Sequence, residues 1–204
     1  MLYQLWTRGD QKGQLFLNSE PSIPLSITHH KAKSGGLAGG LFAIFVPANN
    51  QLENQKVKGT INLSQPEAFQ YTLDMLAIAD YLDSAHGHSF RICRNKKDII
   101  KAEKDGAIAA ILHIEGAEAI GADLKEIELL ALRGIRSIGP LWSRPNIFGQ
   151  GVPFTYPSSP DQGSGLTANG KALVKACDAA KILLDVSHLN EAGFWDISRL
   201  SQQP

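Results

Sequence analysis

The order of apolar and amphipathic segments predicts a parallel α/β fold. Two observations carry this. Residues 40–47 (GLFAIFVP) and 107–116 (AIAAILHIEG) are continuous apolar runs rather than alternating ones, and the strand 182–189 (ILLDVSHL) opens with five residues that are apolar but for one acid, followed by Ser187 and His188. Strands covered on both faces read that way. Between them lie stretches with apolar residues at helical spacing, several closed by glycine. Strand and helix in alternation along one chain is the parallel α/β pattern.

After the strand at 40–47, residues 48–65 are polar and irregular. Residues 66–87 place Phe69, Leu73, Leu76, Ile78, Ala79 and Leu82 at helical spacing, with Gly87 as a stop. SFRICRN is a short strand, and NKKDIIKAEKDG a short helix ending at Gly106. The apolar run 107–116 is closed by Glu115. Residues 123–134 form an amphipathic helix ending at Gly134, and IRSIGPLW is the next strand. Residues 146–165 are rich in Gly, Pro and Ser, and longer than a passive connection, which marks an active-site loop. A helix capped by Thr167 leads to the strand 182–189, and Asn190 caps a last helix. No sequence repeat is present.

The bulk numbers narrow the function. The chain has 204 residues, 43% hydrophobic, enough for one core and a single domain over 1–204. Twenty basic and twenty acidic residues cancel, with no basic run, which argues against a nucleic-acid partner. Cys93 and Cys177 are in no metal-type spacing and fit a reducing compartment or core packing. The N-terminus lacks a signal-peptide pattern, and no run approaches the roughly 20 apolar residues of a membrane span. The expectation is a soluble cytoplasmic protein.

Function in parallel α/β folds collects at the C-terminal ends of strands. Here those ends carry Pro47, Glu115, Trp142 and His188. A lone His at a strand end is more often a hydrogen-bonded structural residue than a ligand, and Glu115 could as well cap the next helix. Two separate βα units that bring a carboxylate and an imidazole to one face raise the metal or acid–base reading. His113 lies two residues before Glu115, on the same side of a strand, and core packing accounts for it. His29, His30, His86 and His88 read as loop, helix-end or surface residues. SGGLAGG, residues 34–40, precedes a strand, whereas phosphate loops follow one. Glycines that let a helix pack closely on the sheet are the better account.

The blocks ILHIEGAEAIGADLKEIELLALRGIRSIGPLW and GSGLTANGKALVKACDAAKILLDVSHLNEAGFWDISRLSQQP resemble the membrane dipeptidase (renal dipeptidase) family of zinc metallopeptidases. SGGLAGGLFAIFVPA looks like that family's second barrel strand, and LWSRPNIFGQGVPF resembles a bacterial branch. The resemblance implies a partial (β/α)8 TIM barrel of the metal-dependent hydrolase superfamily, about strands 2 to 5. It implies two zinc ions and a dipeptide substrate, often with a D-residue at the C-terminal position. Glu115 matches the carboxylate that bridges both metals, and His188 a ligand of one of them. A carboxylate spans cations about 3.5–4 Å apart, and an imidazole donates one lone pair. Trp142 falls where many members have a substrate-contacting His. Family members often pair, so a homodimer is expected on the resemblance alone.

By the same resemblance, an H-x-D ligand motif is expected just before Met1. A ligand His, a substrate-binding Arg and a catalytic Asp are expected beyond Pro204. The chain therefore reads as an internal fragment lacking both ends and inactive alone, with no catalytic residue assigned within it. The alternatives are a degenerate, non-catalytic relative that binds a partner, and another amidohydrolase of the superfamily. The usual carboxylated Lys of the latter has no counterpart at a strand end here.

Overall fold

The computed structural model describes residues 1–20, 22, 25–47, 63–153 and 155–203. The polar stretch 48–65 lies largely outside them, as does Phe154 of the long loop. The chain forms two compact units. One comprises Met1–Ile44 and Tyr71–His113, the other Phe45–Gln70 and Ile114–Pro204.

The first unit begins with three short helices, α1 (Leu2–Thr7), α2 (Gln14–Leu17) and α3 (His29–Ser34). The sequence reading places no element there, because helices of 4 to 6 residues are shorter than the window over which periodicity is legible. Local side chains hold them instead. The Asp10 carboxylate accepts the backbone N–H groups of Gln14 and Leu15 at 2.9 and 2.7 Å, and Thr28 accepts that of Lys31 at 3.1 Å. Strand β1 (Gly39–Phe45) follows, and most of the long helix α4 (Gln65–His86) also belongs here. Strand β2 (Phe90–Ile92), helix α5 (Lys96–Asp105) and the front of β3 (Ile108–Glu115) complete the unit. β2 runs parallel to β3 with Phe90 opposite Ile108. The rings of Phe16, Phe42 and Phe90 meet edge to face and are all buried.

Two expectations are corrected in β1. The strand is not covered on both faces: Phe42 and Ile44 are buried, while Leu41 is 50% exposed. The SGGLAGG glycines do not serve helix-on-sheet packing. Gly36 turns the chain after α3 with φ +73°, and a Cβ on Gly39 would stand 2.5 Å from the Ala109 carbonyl oxygen. Close approach of β1 to β3 is what Gly39 permits.

The second unit contains the end of β3, helix α6 (Glu126–Leu132), strand β4 (Ile135–Gly139), helix α7 (Ala168–Ala180), strand β5 (Leu183–Leu184) and helix α8 (Glu191–Leu200). Its strand order is β3-β4-β5, with β4 and β5 parallel and Ser137 opposite Leu183. Leu141, Leu166, Val174, Leu189 and Ile197 form a core beneath the loops at the strand ends. Thr167 and Asn190 cap α7 and α8 as expected, accepting the N–H groups of Gly170 and Gly193 at 3.1 and 3.0 Å.

The strand expected over 182–189 is much shorter. Pairing continues only to Asp185, whose N–H donates to the Ile138 carbonyl at 2.9 Å. The Asp185 carboxylate then accepts the Ser187 N–H at 2.9 Å, and this Asx turn ends the strand.

Candidate metal site

The groups of interest all belong to the second unit. β3 is buried along nearly its whole length and delivers Glu115 as its last residue. Gly116 turns the chain with φ +87°, and a Cβ there would stand 2.5 Å from Glu118 Oε2 and 3.2 Å from Trp142 Cβ. That glycine lets the segments after β3 and β4 close on each other.

β4 ends at Gly139, so Trp142 stands three residues past the strand rather than on it. It makes an isolated antiparallel bridge with Arg144. His188 likewise stands beyond its strand, on a turn with φ +65°. A non-glycine residue pays on the order of 1 kcal/mol for that backbone, and such residues cluster at functional sites. The turn is held from two sides: the Leu189 N–H donates to the Val186 carbonyl at 3.3 Å, and the Val152 N–H to the His188 carbonyl at 2.9 Å.

The long loop 146–165 is thus tied to the His188 turn. Its ends are tied as well. Asn146 donates to the Pro140 carbonyl at 2.9 Å, and Asn190 donates to the carbonyls of Gln162 and Ser164 at 2.6 and 2.8 Å.

His188 Nε2 lies 3.2 Å from Glu115 Oε1, and its Nδ1 lies 2.8 Å from Ser143 Oγ. The His188 and Glu115 side chains are 24% and 32% exposed, so solvent or a ligand reaches them. The Trp142 ring centre is 6.0 Å from that of His188 and 5.1 Å from that of Phe45. The Arg144 guanidinium sits 4.9 Å from the Trp142 ring centre and 5.2 Å from that of Phe45. Arg144 Nε also donates to Glu118 Oε1 at 2.9 Å, and its Nη2 to the Val46 carbonyl.

Glu115, His188 and Trp142, the three residues singled out from the sequence, come together. His113 is buried, and His86 pairs with His88 in the first unit, their ring centres 6.2 Å apart. Ser143, Arg144 and Glu118 escaped the sequence reading. The WSRPN segment was the available signal for the first two, and the acid three residues after Glu115 for the third.

A carboxylate oxygen and an imidazole Nε2 facing one another, with Nδ1 engaged elsewhere, are the donor types and orientation that suit zinc. The site thus fits the ion in kind. Among the described residues, no group of three or more His, Cys, Asp or Glu gathers to hold a metal. A groove of about 610 Å³ lies between α6 and α7, lined by residues such as Ile127, Leu132, Arg136 and Ala176. It contains none of the residues above and is not the site.

The chain matches the family model of membrane dipeptidases (peptidase family M19) over residues 3–204. It is 35% identical over 209 residues to an uncharacterised protein from the PQQ-III 3′ region of Acinetobacter calcoaceticus, spanning 96% of this chain and 66% of that protein. A metallo peptidase of Rhodobacter sphaeroides, solved with a phosphinate mimic of the dipeptide L-Ala-D-Ala, superposes with a TM-score of 0.87 at 38% identity. The match covers 100% of this chain and 61% of that one. The dipeptidase AC, a metallo peptidase of family M19, superposes with a TM-score of 0.88 at 39% identity, covering 100% of this chain and 59% of that one. The chain therefore spans about three fifths of the length of these two solved peptidases.

Proposed function

Because the chain belongs to the membrane dipeptidase family, an α/β metallohydrolase family, we propose that it supplies part of the zinc centre of a dipeptidase. The observation that carries the reading is the facing pair His188 Nε2 and Glu115 Oε1, 3.2 Å apart. Glu115 would offer one oxygen to each of two ions, and His188 its Nε2 to one. When bound, such ions supply an activated water at neutral pH and polarise a peptide carbonyl. The chain's own part is to hold these two donors and to wall the site with the Trp142 and Phe45 rings. Trp142 is the proposed substrate contact.

The substrate class is a dipeptide, including one with a D-residue at its C-terminal position. The phosphinate mimic of L-Ala-D-Ala held by the Rhodobacter sphaeroides relative supports this. Two donors are fewer than the three or four of a zinc site. The remaining donors are assigned to the length that the relatives have and this chain does not. On that ground the 204-residue chain alone has little or no activity. A homodimer and a cytoplasmic location belong to the same proposal. The second draws on two free, buried cysteines, and among the described residues no helix is long and apolar enough to cross a membrane.

The test is hydrolysis of L-Ala-D-Ala and L-Ala-L-Ala by the full-length gene product, with and without chelator. Chelator-sensitive cleavage is expected from the full-length product and none from the 204-residue chain. No cleavage by the full-length, zinc-supplied product sinks the dipeptidase reading, and cleavage by the short chain sinks the fragment reading.

A further inference from the structure

We propose that Arg144 is a positioning residue for Trp142: its guanidinium, oriented by Glu118, holds the indole in one place beside His188, so that the ring is set before a substrate arrives. The inference rests on the reading above that makes Trp142 a substrate contact, and it concerns a pair to which that reading gives no role.

β4 ends at Gly139, so Trp142 stands on irregular backbone with its side chain half-buried. An indole in that setting has several staggered side-chain states open to it. The guanidinium favours one of them. Its carbon lies over the Trp142 ring, 4.9 Å from the ring centre, and a cation is drawn to an aromatic face.

The guanidinium is itself fixed. Arg144 Nε donates to Glu118 Oε1 at 2.9 Å, and Nη2 donates to the Val46 carbonyl. Two bonds from a flat, rigid group set its plane. Among the described residues, Arg144 Nη1 and Glu118 Oε2 are buried without a hydrogen-bond partner. An apolar pair of similar volume would fill this place without stranding a donor and an acceptor. Stability alone therefore does not account for the two charges. What an apolar pair cannot supply is a cation aimed at the ring.

The backbone beneath the ring is pinned as well. A Cβ on Gly116 would stand 3.2 Å from Trp142 Cβ, and one on Gly151 would collide with the Trp142 carbonyl oxygen. Gly151 also pairs with Leu189, the neighbour of His188. With the backbone held, the guanidinium decides where the indole lies. A ring already in place loses less freedom when substrate binds, so the effect falls on KM more than on kcat.

The experiment compares the full-length, zinc-supplied product with two variants. Arg144→Met/Glu118→Leu removes both charges together, and Arg144→Lys keeps the charge without the flat fork. The readouts are fluorine-19 NMR of protein labelled with 5-fluorotryptophan, the Trp142 line assigned by Trp142→Phe, and steady-state cleavage of L-Ala-D-Ala. Wild type is expected to give one sharp Trp142 line. Each variant is expected to broaden or split that line and to raise KM about 3–30-fold, with a smaller change in kcat. In a Trp142→Ala background the same substitutions should raise KM no further, because residues that act as one unit are not additive. Circular dichroism confirms folding, and either variant decides the matter if the other does not fold.

An unchanged Trp142 line in a folded variant overturns the proposal. So does an unchanged KM, or a rise in KM of the same size in the Trp142→Ala background. Failure of the dipeptidase reading has a different signature: wild type does not cleave L-Ala-D-Ala, and the fluorine line alone then decides whether Arg144 places the ring.

Discussion

Arg144 and Glu118 form a buried ion pair, Nε to Oε1 at 2.9 Å, with both side chains 9% exposed. The guanidinium also holds the Val46 carbonyl and stacks on Phe45 and Trp142. One side chain thus ties the residues that follow β1, β3 and β4. Removing one partner strands a buried charge, which costs about 3–5 kcal/mol. Arg144→Met and Glu118→Leu are each expected to lower the unfolding free energy by about that much, measured by urea denaturation. The double variant should lose less than the sum of the singles. Strict additivity would show that the two charges do not depend on each other.

Trp142 stands between the Phe45 and His188 rings, 5.1 and 6.0 Å away. As the proposed substrate contact, it should act on binding. Trp142→Ala is expected to raise KM for a dipeptide in the full-length product, with a smaller fall in kcat. Trp142→Phe, which keeps a ring there, should lie near wild type. A fall in kcat with KM unchanged would show that Trp142 acts through His188 rather than on substrate.

Cys177 is fully buried in α7, and burial, helped by nearby Asp178, pushes its thiol up to about 12. Only the thiolate alkylates readily. Cys177 is expected to resist iodoacetamide at pH 8 in the folded protein and to react once urea unfolds it, as read by peptide mass. Modification of the folded protein at the rate of a free thiol would contradict this burial.

The Asp196 carboxylate accepts the Leu166 N–H at 2.9 Å and an Arg199 N–H at 2.8 Å, which ties α8 to the end of the long loop. Burial alone would raise its pKa, but the hydrogen bonds from Arg199 and Leu166 outweigh that and hold it below the usual carboxylate value. A depressed folded value contributes stability above the unfolded-state pKa of about 3.9, and that stability is lost as pH falls through the lower folded value. Asp196→Asn is expected to cost about 1 kcal/mol at pH 7, and the gap to wild type should close below about pH 4. A gap that is constant from pH 7 to pH 3 would contradict the argument.

Some of this was legible along the chain. Glu115 ends an apolar run in which every other residue but one is buried, so its place followed from pattern. His188 was legible by type and misplaced by position. Asp185 inside an apolar run, two residues before Ser187, was the signal for a turn, since Asp is depleted in strands and readily caps a bend. The Arg144–Glu118 pair joins residues 26 apart and Ser143–His188 residues 45 apart. No local period reports such contacts, because they arise only when separate strand ends close on one another.

The proposed role of Glu115 and His188 as metal donors is tested by the zinc content of the full-length product after dialysis, measured by atomic emission for wild type, Glu115→Gln and His188→Ala, with circular dichroism to confirm folding. The account predicts that Glu115→Gln, which weakens a donor shared by two ions, loses most of the bound zinc. His188→Ala should lose about half, since it serves one ion of the two-metal arrangement. Folded variants that both retain wild-type zinc would contradict it.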